Sequence, residues 1–413
     1  MFEFEQEIQS LSGELFEIYK DLHMHPERGH TEFRTGKIVA DYLRECGLEV
    51  QTEVGITGVV GLLDSGKPGK TLLIRADMDC LGIPEESNLP YRSVNEGLAH
   101  ACGHDAHTAM LLGAAKVLSQ HKEAFSGKIK FVFQPNEENY LDDHPIRAMV
   151  LDKGYRWLSP DAGLGGAGCM IQDGVMDGVD ACFAIHVQPN VPLGSVYIAK
   201  KEACASTDFM DVTIQGKGGH GSMPQNAIDP VPALAEMIQA LYILPTRVAS
   251  GAEKWVFHIG AVETPGSIAS AVADKAVIHF GYRAFNDETR ALFTKRIEEL
   301  VPHIAAAHQC TSSIVHGIGY RPTINDEDMS ALVAESCRKV LDADKVIYSD
   351  EPNMTAEDVG EFFRLAPGCI LWLGTGVGEN PPALHNPAFC VDPAALPIGV
   401  SVHVSTALTY LNR

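Results

Sequence analysis

Four apolar segments of this chain each run into polar residues at their carboxyl ends. They are 71–76 followed by Asp77 and Asp79, 128–133 followed by Glu137 and Glu138, 181–185 followed by His186, and 369–373 followed by a loop that contains His385. Helical stretches separate the segments, which is typical of an α/β layered domain. Because the carboxyl ends of parallel strands gather ligands at one edge of a sheet, we predict that these polar side chains converge.

Other parts of the chain follow different patterns. Residues 8–48 are predicted to be helical. A β-α-β-β-α-β order is predicted further along, with strands at 209–215, 255–262, 276–285 and 312–317 and helices at 229–244 and 287–308. This order predicts a ferredoxin-like module over 203–317, inserted into a first domain made of 1–202 and 318–413.

Composition narrows the possible partners and location. With 413 residues, of which 45% are hydrophobic, the chain is long enough for two or three domains. Its 32 basic and 54 acidic residues give a net charge of −22, which repels phosphate backbones and anionic lipid, so neither nucleic acid nor a membrane is an expected partner. The acidic N-terminus is unlike a signal peptide, and no run of about 18 apolar residues occurs, so a cytoplasmic location is expected. The 10 cysteines lie in apolar contexts, and we expect most of them to be reduced core residues.

Residues 100–107, His-Ala-Cys-Gly-His-Asp-Ala-His, are rich in groups that bind metal ions. A histidine patch that binds nothing is the alternative interpretation, but the spacing argues against it. Gly103 between Cys102 and His104 indicates a tight turn, and the apolar run after Asp105 indicates a helix that begins there. A thiol at a helix N-terminus favours the thiolate, and a thiolate with an imidazole suits a first-row transition metal.

Glu137 and Glu138 follow a buried strand directly, and adjacent residues of an extended chain point to opposite sides. One carboxylate can bind a metal while the other serves as general base and then as proton donor. A pair of solvated loop acids is the alternative. The candidate ligands are then Cys102, His104, Glu138, His186 and His385. This is one ligand more than a closed tetrahedral zinc site uses, which favours two metal ions that share a bridging ligand and a water.

The other polar residues near these ligands are expected to have supporting roles. Asp79 is expected to orient an imidazole, although Asp77 and Asp79 could be ligands themselves. Asp105 is expected to begin the helix and to support the histidine before it. His100 and His107 are expected to be structural or to lie behind the ligands.

One histidine of the middle module, His220, lies among glycines in the segment 215–224. An exposed loop histidine usually has no role. The glycines leave the ring unpacked, and the module is a candidate lid, so we favour a contact between His220 and an oxyanion or the substrate.

Together these residues resemble the motifs of the M20 metallopeptidase family, and specifically of its amidohydrolase subgroup of hippurate hydrolases, N-acyl-amino-acid amidohydrolases and auxin-conjugate hydrolases. The similarity extends through almost the whole chain. The matching motifs are His25-Pro26-Glu27 with Glu32 and Thr35, Arg75-Ala76-Asp77-Met78-Asp79, His100 to Asp105, Gln134-Pro135 with Glu137-Glu138, His186, Gly218-Gly219-His220, Glu357-Asp358, and Leu384-His385-Asn386-Pro387.

The resemblance implies a zinc-peptidase-like catalytic domain with the middle module as a lid and dimerisation domain. It implies two divalent transition-metal ions per subunit, which could be zinc, manganese, nickel or cobalt, bound by the five candidate ligands. Glu137 would activate the bridging water, and His220 would stabilise the oxyanion that forms when this water attacks an amide carbonyl. A homodimer is expected, in which the lid histidine can serve the site of the neighbouring subunit.

The predicted function is therefore metal-dependent hydrolysis of the amide bond of N-acyl or N-aroyl amino acids. The expected partner is a small molecule of this kind or a short peptide. A dipeptidase or carboxypeptidase of the same family is one alternative. A metal-binding relative without turnover is another, but Glu137 argues against it because such a protein needs no base.

The chain departs from the family pattern in two places. Where relatives have Asn-Val-Ile-Pro-Asp in the lid, this chain has Ser270-Ala-Val-Ala-Asp. Serine has fewer donors than the asparagine that helps to hold the substrate's carboxylate side, and Arg283 could supply charge for that contact. An extra stretch at about 139–164 follows the glutamate pair, and we expect it to form a wall of the substrate pocket rather than a surface or dimer contact. Its aromatic and basic residues are Tyr140, His144, Arg147, Tyr155, Arg156 and Trp157.

Overall fold

The computed structural model of the protein describes residues 3–138, 144–157, 164–317 and 319–413. Tyr140 and the side chain of His144 lie outside the described part. The helices in chain order are α1 (Glu5–Ser10), α2 (Ser12–Met24), α3 (Phe33–Glu45), α4 (His104–Gln120), α5 (His144–Asp152), α6 (Gly166–Gln172), α7 (Pro230–Ile243), α8 (Pro245–Val248), α9 (Asp287–Ala307), α10 (Glu327–Cys337), α11 (Gly360–Phe363) and α12 (Ala395–Leu411).

The strands are β1 (Glu49–Val54), β2 (Gly58–Asp64), β3 (Thr71–Asp77), β4 (Lys128–Gln134), β5 (Ala181–Pro192), β6 (Val196–Ala199), β7 (Glu202–Cys204), β8 (Asp208–Gln215), β9 (Gly219–His220), β10 (Trp255–Glu263), β11 (Ala271–Val272), β12 (Lys275–Ala284), β13 (Thr311–His316), β14 (Thr323–Ile324), β15 (Val346–Ser349) and β16 (Gly368–Gly376). Short 3-10 turns lie at Lys122–Ala124, Pro224–Asn226 and Ala343–Lys345.

The chain divides into two compact units. The first comprises Met1–Ala203, Thr323–Asn353 and Glu357–Arg413, and the second comprises Cys204–Pro322 and Met354–Ala356. The roles predicted for the two parts of the chain, catalytic domain and lid, stay predictions.

A mixed sheet of eight strands lies at the centre of the first unit, in the order β1-β2-β4-β3-β5-β16-β6-β15. Its middle strands β4, β3, β5 and β16 are parallel, and β3 and β16 are buried along almost their whole length, as expected for parallel strands covered on both faces. The register pairs Asp77 with Gln134 and His186 with Trp372. The polar ends of these strands therefore meet at one edge, and the predicted α/β class is confirmed.

The prediction of helix throughout 8–48 is wrong, because the chain leaves the helical conformation between α2 and α3. Pro26 disfavours a helical conformation for His25, which has φ −127° and ψ 56°. After the turn, the Glu27 carboxylate accepts the N–H of Thr35 at 2.8 Å and so satisfies a backbone donor in the first turn of α3.

The second unit contains β8, α7, β10, β12, α9 and β13 in β-α-β-β-α-β order. The strands form an antiparallel sheet in the order β10-β12-β8-β13. Along β8, Met210, Val212 and Ile214 are buried with apolar residues of α7 and α9, while the residues between them are less buried. Asp229 caps α7 and Asn286 caps α9, each by accepting a backbone N–H. This unit therefore has a hydrophobic core of its own.

Two expectations about the chain as a whole can be compared with the structure. The 10 cysteines all lie within the described residues and form no disulfide there, and all but Cys46 and Cys390 are buried, as expected if most are reduced core residues. In the described part of the chain, no helix combines the length and the apolar character needed to cross a membrane.

Candidate metal centre

Helix α4 begins next to the edge at which the parallel strands end. Gly103, the residue before the helix, has φ 88°, a left-handed conformation that favours glycine. A Cβ atom on Gly103 would lie 2.4 Å from Cγ2 of Val187, so the packing of this turn against β5 also requires glycine. Because the chain turns here, Cys102 and His104 direct their ligand atoms to one region, which two residues at this spacing on a continuous helix do not do.

Each of the buried histidines His104 and His186 is held in place by hydrogen bonding at one ring nitrogen, Nδ1. Nδ1 of His104 lies 3.0 Å from both the carbonyl oxygen and Oδ1 of Asp79, and Nδ1 of His186 lies 2.7 Å from the carbonyl oxygen of Val187. Carbonyl oxygens only accept hydrogen bonds, so each Nδ1 carries a hydrogen. In the neutral rings, Nε2 then keeps its lone pair for a ligand. Asp79 lies where it orients His104.

The five candidate ligands lie together in the first unit. Cys102, His104 and Glu138 each place a ligand atom within 4.8 Å of the other two. The Cys102 Sγ atom lies 3.4 Å from Nε2 of His186, and Oε1 of Glu138 lies 3.4 Å from Nε2 of His385. The side chain of His385 is 55% exposed, whereas those of Cys102, His104 and His186 are buried, so the cluster opens to solvent at His385.

The adjacent acids Glu137 and Glu138 have different surroundings. Carboxylate oxygens of Glu137, Glu357 and Asp358 lie within 4.8 Å of one another. Burial and the nearby Glu357 raise the pKa of Glu137 well above its ordinary value. Burial also acts to raise the pKa of Glu138, but the hydrogen bond and charge of His385 together with His104 and Cys102 outweigh burial and lower that pKa. Neighbouring acids with pKa values shifted in opposite directions are suited to different chemical roles.

A buried arginine, Arg75, pairs with the acids around this cluster. Its Nη1 lies 2.6 Å from Oδ2 of Asp77, and its Nη2 lies 2.9 Å from Oε1 of Glu357 and 3.3 Å from Oδ1 of Asp358. The sequence predicted no individual role for Arg75, Glu357 or Asp358, and Asp77 was considered only as a possible ligand. The available signal is Arg75 itself, since a charge near the end of a buried strand requires buried partners.

A second group of ligand atoms lies within 4.8 Å of one another, and it consists of Asp77, His104, His107 and His186. His107 lies three residues after His104 on α4, a spacing that places both on one helix face. Its Nδ1 lies 2.6 Å from Oδ1 of Asp77, and its Nε2 accepts the N–H of Val187 at 2.8 Å. Both nitrogens of His107 are thus occupied by protein groups, as expected for a residue behind the ligands.

The charge around the cluster favours a bound cation. Burial and the carboxylates of the glutamate pair raise the pKa of the Cys102 thiol well above its ordinary value, so they outweigh the helix terminus that was expected to favour the thiolate. Burial acts to lower the pKa of His104, but Asp77 and Asp79 raise it to about 10. A divalent cation would supply positive charge and displace the protons that these raised pKa values keep on the Cys102 thiol and the His104 ring. Thiolate, imidazole and carboxylate donors together fit a divalent transition metal.

Asp105 does not support His104, and this prediction is wrong. Asp105 is the second residue of α4, its Oδ2 lies 2.6 Å from Nδ1 of His23, and its Oδ1 accepts the N–H of Ala106 at 2.9 Å. Burial acts to lower the pKa of His23, but Asp105 and Glu85 raise it to about 10. His23 lies 82 residues away in the sequence, so no local pattern indicates this pair.

In the second unit, the predicted substrate contacts His220 and Ser270 lie close to each other. His220 on β9 pairs with the residue that follows Ser270, and the carbonyl oxygen of Ser270 accepts the N–H of Gly221 at 2.9 Å. The exposed ring of His220 accepts the N–H of Ser222 on Nδ1 at 3.2 Å. A backbone N–H can only donate, so the neutral ring carries its hydrogen on Nε2.

Arg283, the other predicted substrate contact, lies on β12. Its Nη1 donates to the carbonyl oxygen of Met354 at 2.9 Å. This bond orients the guanidinium but does not neutralise its charge, so recognition of a substrate carboxylate by Arg283 stays a prediction.

The described part of the extra stretch, 144–157, contacts α6 and the residue after it. The backbone N–H of Arg156 donates to Oε1 of Gln172 at 2.9 Å, and the hydroxyl of Tyr155 donates to Oδ2 of Asp173 at 2.8 Å. The predicted role of this stretch as a wall of the substrate pocket stays a prediction.

The carboxyl edge of the mainly parallel sheet combines thiol, imidazole and carboxylate donors with a separate buried carboxyl. This combination is suited to metal-dependent hydrolysis. The profile of the peptidase family M20/M25/M40 matches residues 73–409. The chain therefore belongs to this family.

Relatives of the chain match over nearly its full length. A hippurate hydrolase of Campylobacter jejuni is 34% identical over 408 residues, and the thermostable carboxypeptidase 2 of Saccharolobus solfataricus is 32% identical over 412 residues, with 98% of each chain covered in both comparisons. A solved Bacillus subtilis structure, a dinuclear metal-binding peptidase of the M20 family, is 27% identical with a TM-score of 0.79, covering 98% of this chain and 99% of its own. The predicted family, its amidohydrolase subgroup and the enzyme class, a metal-dependent amide hydrolase, are confirmed.

Proposed function

We propose that this chain hydrolyses the amide bond of N-acyl or N-aroyl amino acids to a carboxylic acid and an amino acid. The observation that carries the proposal is the position of Glu137 next to the five-donor cluster. Its carboxyl is buried among other acids and groups with Glu357 and Asp358 rather than with Cys102, His104 and Glu138, yet its Oε2 lies only 3.8 Å from Nε2 of His104. A carboxyl so placed can exchange protons at the site without serving as a ligand.

We further propose that the donor cluster binds two divalent transition-metal ions, zinc, manganese, nickel or cobalt. The residues that would hold them are Cys102, His104, Glu138, His186 and His385. When bound, such ions supply Lewis acidity and positive charge to the reacting carbonyl. Because Nδ1 of each buried histidine is held by a backbone carbonyl oxygen, Nε2 is the nitrogen left to bind an ion, which supports this ligand set.

Glu137 serves in this proposal as the general base. It accepts a proton from the water that attacks the amide carbon and then donates that proton to the leaving nitrogen when the C–N bond breaks, so the two steps balance. A carboxyl whose pKa is raised is suited to both steps, because it accepts a proton more readily than an ordinary carboxylate does.

His220 serves as a hydrogen-bond donor to the oxyanion. The bond from the N–H of Ser222 to Nδ1 supports this role, since it leaves the hydrogen of the neutral ring on Nε2. Arg283 and Ser270 are proposed to contact the carboxylate side of the substrate, and the guanidinium supplies the stronger interaction.

The experiment that tests the proposal is a substrate screen on the protein loaded separately with zinc, manganese, nickel and cobalt. Hippurate and N-acetyl amino acids are compared with free dipeptides of the same amino acids. We expect hydrolysis of the acylated compounds with at least one metal. Hydrolysis confined to dipeptides contradicts the proposal.

A dipeptidase or carboxypeptidase activity is the second candidate. It is favoured by the Saccharolobus solfataricus relative, which is named a carboxypeptidase and is 32% identical. Longer peptides distinguish a carboxypeptidase from a dipeptidase, because only a carboxypeptidase releases the C-terminal residue from a peptide with several amide bonds.

A further inference from the structure

Glu32 is completely buried in the residues that lead into α3, and it has no part in the donor cluster described above. Its Oε1 accepts the backbone N–H of Asn136 at 2.9 Å, and its Oε2 accepts the hydroxyl of Thr57 at 2.5 Å. Asn136 is the residue immediately before Glu137 and Glu138. A buried acid thus bonds directly to the backbone that presents the proposed base and one proposed ligand.

Three hydrogen bonds hold this backbone on either side of Glu137. The N–H of Asn136 donates to Glu32, the carbonyl oxygen of Asn136 accepts the N–H of Gly166 at 3.0 Å, and the N–H of Glu138 donates to Oδ2 of Asp79 at 2.9 Å. The partners belong to three separate parts of the fold: the residue before α3, the start of α6 and the loop after β3. The directions of the Glu137 and Glu138 side chains follow from this held backbone.

The conformation of Asn136 explains why the turn needs such support. Its φ is 48°, in the left-handed region, which asparagine tolerates better than most residues but which depends on surrounding contacts. Pro135 precedes it and has no N–H, so the N–H of Asn136 is the first backbone donor after β4. Without the Glu32 oxygen this donor loses its acceptor in the protein interior, and movement of the turn becomes favourable.

We propose that Glu32 is a positioning residue, which acts through the backbone of Asn136 to set Glu137 and Glu138 in their different directions. The inference rests on the proposed function for its catalytic consequence. Its structural part, the effect of Glu32 on the ligand Glu138, does not require turnover.

Two substitutions at Glu32 separate geometry from charge. Glu32→Ala removes the acceptor of the Asn136 N–H. Glu32→Gln keeps an oxygen in the same place, and its amide group can donate to the Thr57 hydroxyl, which also accepts. Thr57→Val is the matched control, because it removes the other hydrogen bond of Glu32 and leaves the bond to Asn136.

With the metal-loaded enzyme and an N-acyl amino acid, we expect Glu32→Ala to lower kcat about 10–100-fold with KM changed by less than about twofold. Glu32→Gln and Thr57→Val should stay within about threefold of the parent kcat. If Glu32→Ala does not fold, Glu32→Asp replaces it, since its shorter side chain withdraws the oxygen and the same loss of kcat is expected.

Metal affinity, measured by competition with a chromogenic chelator, and hydrogen exchange of the peptide that covers 134–138 provide readouts without turnover. We expect the Ala or Asp variant to bind zinc about tenfold more weakly and to exchange faster in this peptide, with the Gln variant close to the parent.

Unchanged kcat, zinc affinity and exchange in a folded Ala or Asp variant overturn the proposal, and so does a Gln variant as impaired as the Ala variant. If the parent hydrolyses no acyl amino acid, the proposed function fails, while zinc affinity and exchange still decide the role of Glu32.

Discussion

At the scale of the residue, replacing Glu137 by glutamine exchanges a carboxyl for an amide of nearly the same shape. The amide cannot accept a proton from water, so we expect Glu137→Gln to lose at least about two orders of magnitude in kcat. Metal content should be unchanged, because Glu137 lies outside the proposed ligand set. Steady-state hydrolysis of hippurate, together with elemental analysis of the purified variant, measures both quantities.

Glu335→Gln is the matched control, since Glu335 pairs with Arg413 and Lys339 at the surface and the same exchange there should leave kcat unchanged. A Glu137→Gln enzyme with full activity would show that another group is the base.

His403 on α12 provides a prediction about pH. Burial, with a contribution from His107, lowers the pKa of His403 from 6.5 to about 3. Between these values the unfolded chain binds a proton that the folded chain does not, so stability is fully present above pH 6.5 and is lost as the pH falls toward 3. In His403→Leu this loss should be smaller, and urea unfolding of the chelator-treated protein at pH 7 and pH 5 measures it.

Val404→Ala is the control, because it damages the same buried helix without removing a titratable group. It should lower the free energy of unfolding by a similar amount at both pH values. If His403→Leu and the parent lose equal stability between pH 7 and pH 5, the titration of His403 does not contribute.

The residues that could be predicted from sequence are those with a local signal. Cys102 and His104 flank a glycine before a helix, and Glu137 and Glu138 follow a strand. The partner of Asp105 could not be predicted, since His23 lies 82 residues away and the sequence does not show which oxygen faces which helix. The bond between Glu32 and Asn136 spans 104 residues and was missed for the same reason.

At the scale of the element, the turn before α4 depends on Gly103. Its φ of 88° and the 2.4 Å approach of Val187 to a Cβ atom mean that Gly103→Ala must distort the backbone between Cys102 and His104. We expect the variant to bind zinc at least about tenfold more weakly and to lose more than about 1 kcal/mol of stability. Chelator competition and thermal unfolding measure these two effects.

Gly97→Ala separates conformation from packing, because Gly97 has φ 75° but no atom within 4 Å of a Cβ placed there. This variant should lose stability and keep its zinc affinity. Equal zinc affinity in both variants contradicts the role assigned to the turn.

The elements themselves were predicted well where the pattern is strong. The buried strands β3, β4 and β16 and the order of elements in the second unit follow from apolar runs separated by helices. The break between α2 and α3 also had a local signal in Pro26, but the apolar periodicity on both sides obscured it.

At the scale of the whole molecule, the cation proposed for the donor cluster should stabilise one part of the chain selectively. All five proposed ligands belong to the first unit, and the second unit has a separate hydrophobic core. An ion present at 100 times its dissociation constant adds about 2.7 kcal/mol to the stability of the state that binds it. Removal of the metal with a chelator should therefore lower the temperature of thermal unfolding.

When the metal is removed, hydrogen exchange should increase in peptides that contain Cys102 to His104, Glu138 and His385, while strands β8 and β12 stay protected. An equal increase in both units would show that the ion stabilises the chain globally, and no increase near the ligands would remove these residues from the proposed site.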